Sequence, residues 1–258
     1  MENVSANMRR NRWIAGLLVG VTVFSFLKHY GRHSGATWAE YCKPLPGDGI
    51  IPYPDLEITN AIPIRAPAER IWPRLVQLGY YRGGWFTDST WKDWDYLPDK
   101  MMRYFVREEA ETSGYGHREV PSATQIISEF QHLKVGDVVL DGPPGTAFFT
   151  VSAIEPNKFL VLHSTTHLRF LFPKFIRENP KIGIGGEFTW GFFLEPLDEA
   201  TTRLLLRTRG VIQPWWYRIF INTAIPIANI FLSRKMLSGI KKHADGCARK
   251  QTFAWDIN

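Results

Sequence analysis

Between Leu56 and Gly79 the spacing of apolar positions changes from two residues to between three and four, which marks a strand running into a helix. Leu56, Ile58, Ile62 and Ile64 alternate with Glu57, Thr59 and Arg65, and Asn60 is the polar exception on the apolar side. Pro63 cannot donate to a ladder, so it predicts an edge position or a bulge. Ala66-Pro67 stops the strand and opens a helix whose apolar stripe is Ile71, Trp72, Leu75, Val76 and Leu78, with Gly79 as its expected C-terminal cap. Pro73 falls inside this helix and would shorten or kink it, yet the stripe continues through.

Farther on, Val135–Leu140, Ala147–Ile154, Phe159–Ser164, Glu187–Glu195 and Thr202–Arg209 follow one another at hairpin-like spacing. Gly142-Pro143-Pro144-Gly145, Glu155–Lys158 and Glu195–Ala200 are the turns between them. Phe188, Trp190, Phe192 and Leu194 share one face of their strand, and Leu204 and Leu206 lie opposite Arg203, Arg207 and Arg209 on the last. This alternation predicts a bent antiparallel sheet with one apolar face and one wet face. After Pro214-Trp215-Trp216-Tyr217 a long helix is expected, with Ile227, Ile230, Phe231, Leu237, Ile240 and Ala244 on its apolar side.

The first 33 residues read differently. Trp13–Leu27 carries no charge and follows Arg9, Arg10 and Arg12, with Trp13, Leu17, Leu18, Phe24, Phe26 and Leu27 as its anchoring side chains. As a helix this run is about 22 Å long against a hydrocarbon core of about 30 Å, and Arg12 and Lys28 can snorkel to narrow the gap. A cleaved signal is disfavoured by the bulky, basic Lys28–His33, and a buried helix is the third alternative. The preferred reading is a single-pass anchor, with near-balanced flanking charges that leave the side of the membrane open. The expected organisation is a basic and hydrophobic anchor segment at 1–33, a linker at 34–54, one domain at 55–250 and a tail at 251–258.

Several fragments are shared, in order, with a known superfamily. They are Leu45-Pro46-Gly47-Asp48, the run Ile64-x-Ala66-Pro67-Ala68-Glu69-x-Ile71-Trp72 with Gln77-Leu78-Gly79, Arg82-Gly83-Gly84-Trp85, Val135-Gly136-Asp137, Leu194-Glu195-Pro196, Thr202-Arg203-Leu204 and Met236-Leu237-x-Gly239-Ile240-Lys241. Across about Gly35 to Ala244 the chain resembles the SRPBCC or START-like superfamily, also described as polyketide cyclase/dehydrase-like. That resemblance implies an α+β helix-grip fold, a bent antiparallel sheet wrapped around a long C-terminal helix with an apolar cavity between them. It implies no invariant catalytic set, because one fold of this kind serves many chemistries.

Charge narrows the partners. The chain of 258 residues has a formal net charge of +6, but 1–33 and 234–258 each carry +4, leaving the body slightly acidic. Basic ends beside apolar segments suit an anionic membrane surface better than a nucleic-acid groove, and no nucleic acid is expected as a partner. Cys42 and Cys247 are distant in sequence, lack metal-type spacing and are taken as reduced thiols. His163 and His167 are four apart, but the first is on a strand, so no metal is expected, and no cofactor.

Residues 82–100 are dense in aromatics, which calls for packing against something. The expected cavity lining is Trp85, Trp94, Phe149, Leu162, Trp190 and Phe192, with Arg82 as the polar anchor for a ligand. Structural packing of the indoles, with Arg82 paired to Asp88 or Asp93, is the competing reading. The function favoured is membrane-tethered binding of a small apolar molecule or lipid, with no catalytic residue assigned. One alternative is a cyclase or dehydratase-like enzyme in the same cavity, using His163, Glu187 or Tyr96 as acid or base. The other is a membrane-bound scaffold whose core is filled by its own aromatics. The oligomeric state is left open.

Overall fold

The computed structural model describes residues 2–86, 122–142, 145–170 and 178–252. Six strands form one antiparallel sheet in the order β1-β6-β5-β4-β3-β2. They are β1 (Leu56–Ile64), β2 (Val138–Leu140), β3 (Phe148–Glu155), β4 (Phe159–Ser164), β5 (Gly185–Asp198) and β6 (Thr201–Gln213). β1 is an edge strand, so Pro63 sits opposite Arg203 where its missing N–H breaks no central ladder. Register shifts at Val151/Ala153 and Pro196/Asp198 supply the local kinks that bend such a sheet.

Five helices accompany the sheet among the described residues: α1 (Glu2–His33), α2 (Trp38–Cys42), α3 (Ala68–Val76), α4 (His167–Phe170) and α5 (Trp215–Thr252). α3 begins directly after Pro67 and runs through Pro73, ending with Gln77 as its cap; Gly79 lies beyond, at φ +125°. The interior joins Ile71 and Leu75 of α3 and Met236, Leu237, Ile240 and Ala244 of α5 to Leu160, Leu162, Phe192, Leu194, Leu204 and Leu206 of the sheet. This is a helix-grip arrangement, with the C-terminal half of α5 laid across the concave face. The buried side of α5 differs from the expected one in a detail. Phe231 is exposed, while Ile221 and Met236 are buried, because the helix is in contact with the sheet at one end and with α1 at the other.

Much of the convex face of the sheet is covered rather than wet. Residues 34–54 lie over it, and Leu45, with Ala36 and Ile50, packs on Ala61, Val161, Phe193 and Leu205. Three arginines of β6 hold this segment down. Arg207, 2% exposed, donates to Thr59 Oγ1 at 3.1 Å, to the carbonyls of Lys43, Glu40 and Tyr41 at 2.7, 2.8 and 2.7 Å, and to Asp48 Oδ2 at 2.9 Å. All five guanidinium N–H groups thus have an acceptor. Arg203 makes a two-pronged contact with Glu40 at 2.7 and 2.9 Å, and Arg209 donates to the Ile51 carbonyl at 3.1 Å. A polar period-2 face reads as solvated when the segment that covers it is itself polar.

α1 meets α5 near its C-terminal end. A Cβ on Gly31 would stand 1.8 Å from the Pro226 carbonyl, so glycine is what lets the helices cross here. Arg32 Nη2 donates to Asn222 Oδ1 at 2.7 Å, and Asn229 donates to the Gly31 carbonyl at 2.9 Å and to Asn60 Oδ1 at 2.8 Å. Asn60, the polar exception in the apolar stripe of β1, is therefore a partner for this crossing. Outside it, Trp13, Leu17, Leu18, Phe24, Phe26 and Leu27 are exposed. Asn11–His33 has 23 residues and contains an 18-residue stretch of mean hydropathy 1.4, long and apolar enough by length and composition to cross a membrane.

Candidate functional site

The aromatic residues of the concave face converge near its β3–β4–β5 end. Strand alternation brings Phe149, Leu162, Trp190 and Phe192 to the same side. Phe149 and Trp190 stack with ring centroids 5.5 Å apart and planes 20° from parallel, and Phe192 lies 5.8 Å from Trp190. Phe188 adds an edge-on contact to Phe149 at 5.5 Å. Phe149, Leu162 and Phe192 are buried, whereas Trp190 is only half-buried although it points inward.

Trp85 reaches the cluster from the loop after α3, 5.6 Å from Trp190 and 5.7 Å from Phe149. That loop is tightly held. Gly83 N donates to the Gln77 carbonyl at 2.6 Å, Gly79 and Gly84 form an antiparallel bridge, and Phe86 N donates to Ser122 Oγ at 2.9 Å. A Cβ on Gly239 of α5 would stand 1.7 Å from the Phe86 carbonyl, so the loop and the gripped helix touch backbone to backbone. Trp85 is therefore fixed in place by chain geometry on both sides. Its Nε1 is buried and meets no acceptor among the described residues. A buried unpaired donor costs roughly 1–3 kcal/mol, and an acceptor brought by a ligand would remove that cost.

Arg82, expected beside Trp85, is turned away from this role. Its guanidinium donates to the carbonyls of Leu78 at 3.1 Å, Val76 at 2.7 Å and Phe130 at 3.2 Å, and lies 4.7 Å over the Phe130 ring. Burial pushes it below its usual range, with the charge of Asp137 opposing that shift, and its N–H groups satisfy carbonyls at the end of α3. It satisfies a helix terminus, and neither reading from the sequence, ligand anchor or aspartate pair, describes these contacts. Trp94 and Tyr96 lie outside the described residues, as do Asp88 and Asp93.

The expected acid–base candidates face elsewhere. His163 Nε2 and Glu187 Oε2 are 2.7 Å apart on the convex side of β4 and β5, one residue out of phase with Leu162 and Phe188. The titratable side chain that does touch the cluster is His167 of α4, 4.2 Å from Phe149 and 5.2 Å from Phe188. Its Nδ1 lies 2.6 Å from Ser164 Oγ and its Nε2 3.0 Å from Asp141 Oδ2. In the neutral tautomer with the proton on Nε2, it donates to Asp141 and accepts from Ser164. Both nitrogens are then engaged, and the ring lies against Phe149 and Phe188. Ser164 also accepts from Thr166 N at 3.1 Å, so this triad ties the end of β4 to α4 and to the end of β2. Sequence reading passed over it because the three residues lie on three different elements.

A second concavity lies at the crossing of α1 and α5. It is a surface groove of about 470 Å³ lined by Lys28, Pro54, Asp55, Arg218, Ile219, Asn222 and Thr223. Cys42 is a free, exposed thiol, and the side chain of Cys247 lies outside the described residues.

No protein-family model matches the chain, and no curated protein sequence matches it. Solved structures similar to it include a protein from Mesorhizobium loti, at 14% identity over 74% of this chain and 97% of its own, with a TM-score of 0.38. A conserved protein from Geobacillus kaustophilus covers 74% of this chain and 96% of its own at 13% identity and a TM-score of 0.36. A truncated norcoclaurine synthase from Thalictrum flavum covers 72% and 91% at 10% identity and a TM-score of 0.37. The helix-grip arrangement stands on this chain's own sheet and helix.

Proposed function

We propose that the chain is a membrane-tethered binding protein of the SRPBCC or START-like kind, and that the concave aromatic cluster receives a small apolar molecule bearing one hydrogen-bond acceptor. The observation that carries this reading is Trp85: an indole held by its loop, with a buried N–H that meets no acceptor among the described residues, packed against Phe149 and the half-buried Trp190. A buried donor without an acceptor beside an inward-facing indole that keeps some exposure is an arrangement that a ligand carrying one acceptor would complete. Apolar area covered on binding contributes about 25 cal/mol per Å², and the indole N–H orients the ligand. The exposed apolar face of α1 supports the tether, and a lipid or lipid-derived ester would meet both requirements.

The test uses the full chain with ¹⁵N-labelled indoles in detergent, titrated with methyl decanoate or with decane. The ester is expected to move the Trp85 N–H resonance, identified by its loss in Trp85→Phe, and to bind that variant about fivefold to tenfold more weakly. Decane is expected to perturb Trp190 and to leave the Trp85 N–H where it was. Absence of any change at either indole would overturn the site.

A further inference from the structure

The first three turns of α5 carry an exposed apolar surface. Tyr217 and Ile221 point into the molecule, where Tyr217 is fully buried and donates to the Leu168 carbonyl at 2.9 Å. Trp215, Trp216, Ile219 and Phe220 point out, at 66%, 40%, 59% and 54% exposure. At 3.6 residues per turn these four fall within one arc of about 140°, so they form a stripe rather than scattered apolar positions. Beside the stripe runs the groove lined by Lys28 of α1 and by Arg218, Ile219, Asn222 and Thr223 of α5. The stripe is thus next to the point where the exposed apolar length of α1 ends. Two tryptophans, two aliphatic or aromatic neighbours and a flanking lysine and arginine are the composition of a membrane interface.

We infer that this stripe is a second bilayer contact, distinct from the α1 span. α5 lies in the headgroup layer along Trp215–Phe220, with Lys28 and Arg218 toward anionic lipid phosphates. Asp55 is the one carboxylate among the groove's lining residues; it accepts from Arg218 at 3.0 Å and from Ile212 N at 2.9 Å, while Lys28 has no carboxylate partner among the described residues. With two contacts, a flexible tether becomes a fixed platform. Because the C-terminal half of the same helix is gripped by the sheet, α5 connects the bilayer surface mechanically to the interior that holds the aromatic cluster.

This inference rests on the membrane reading of α1, and the test separates the two. The full chain, with Cys42→Ser and Cys247→Ser, is placed in phosphatidylcholine vesicles with or without phosphatidylglycerol. A nitroxide is attached in turn at Leu18→Cys, Phe220→Cys and the exposed Lys181→Cys. Collision with oxygen, which concentrates in lipid, is compared with collision with a water-soluble nickel chelate. Leu18 and Phe220 are expected to favour oxygen several-fold over Lys181, with Phe220 the shallower and deeper in the anionic vesicles than in the neutral ones. If Leu18 favours oxygen and Phe220 matches Lys181, the stripe faces water and the inference fails while the tether stands. If all three match, both fail. A Phe220 label shielded from both agents, with or without broadening between neighbouring labels, would mean that protein covers the stripe, a second copy in the broadened case, and would also overturn the inference.

Discussion

Trp85 and Gly239 show how one residue can set the site and another can set the residue. The indole's position depends on a loop whose carbonyl at Phe86 lies where a Cβ of Gly239 would be, 1.7 Å away. Backbone on both sides leaves little room to give, so Gly239→Ala is expected to destabilise the chain by about 3 kcal/mol or more, lowering the melting temperature by roughly 6–12 °C. Thermal unfolding followed by circular dichroism checks this, and an unchanged midpoint would mean that helix and loop are not in contact. At this scale the sequence was partly readable. Trp85, Phe149, Leu162, Trp190 and Phe192 follow from strand alternation and aromatic density, and they do come together. Arg82 donates to carbonyls of the preceding helix, and a lone arginine beside glycines carries no sign in the sequence of such contacts. His167 was weighed only as a metal ligand with His163, and its true neighbours, Ser164 and Asp141, are visible only once three elements meet.

At the scale of elements, the segment 34–54 is joined to the sheet by ions and not only by apolar contact. Arg203 holds the carboxyl of Glu40 down to about 2, chiefly through their hydrogen bond, against the opposing effect of burial. A carboxylate whose folded value lies below its unfolded value near 4.5 stabilises fully above that pH, and its contribution is lost as pH falls toward 2. Urea unfolding between pH 6 and 2 should therefore give a slope that Glu40→Gln flattens in the acidic part of the range, with the two proteins converging at the acid end. Parallel curves would show that the Glu40–Arg203 contact is absent in solution. The strands, α3 and the C-terminal helix were legible because each has a full period of apolar residues. The covering of the convex face was not, because Arg203, Arg207 and Arg209 alternate as solvated residues would, and many of their partners are backbone carbonyls of residues 35–52.

At the scale of the whole molecule, a gripped helix links two environments. Its C-terminal half closes the aromatic interior, and its N-terminal half meets α1, whose apolar length projects from the domain. On the proposed reading, an apolar molecule in the concave cluster would sit next to the phase in which such molecules dissolve. The most direct measurement is native mass spectrometry of the full chain, released from membrane discs made from its source cells, beside the Trp85→Phe, Trp190→Ala double variant. The account predicts one apolar, acceptor-bearing molecule per chain that survives release with the wild type and is missing from the variant, while loosely held lipid is equal in both. Identical spectra, with no molecule retained at one per chain in the wild type, would contradict it.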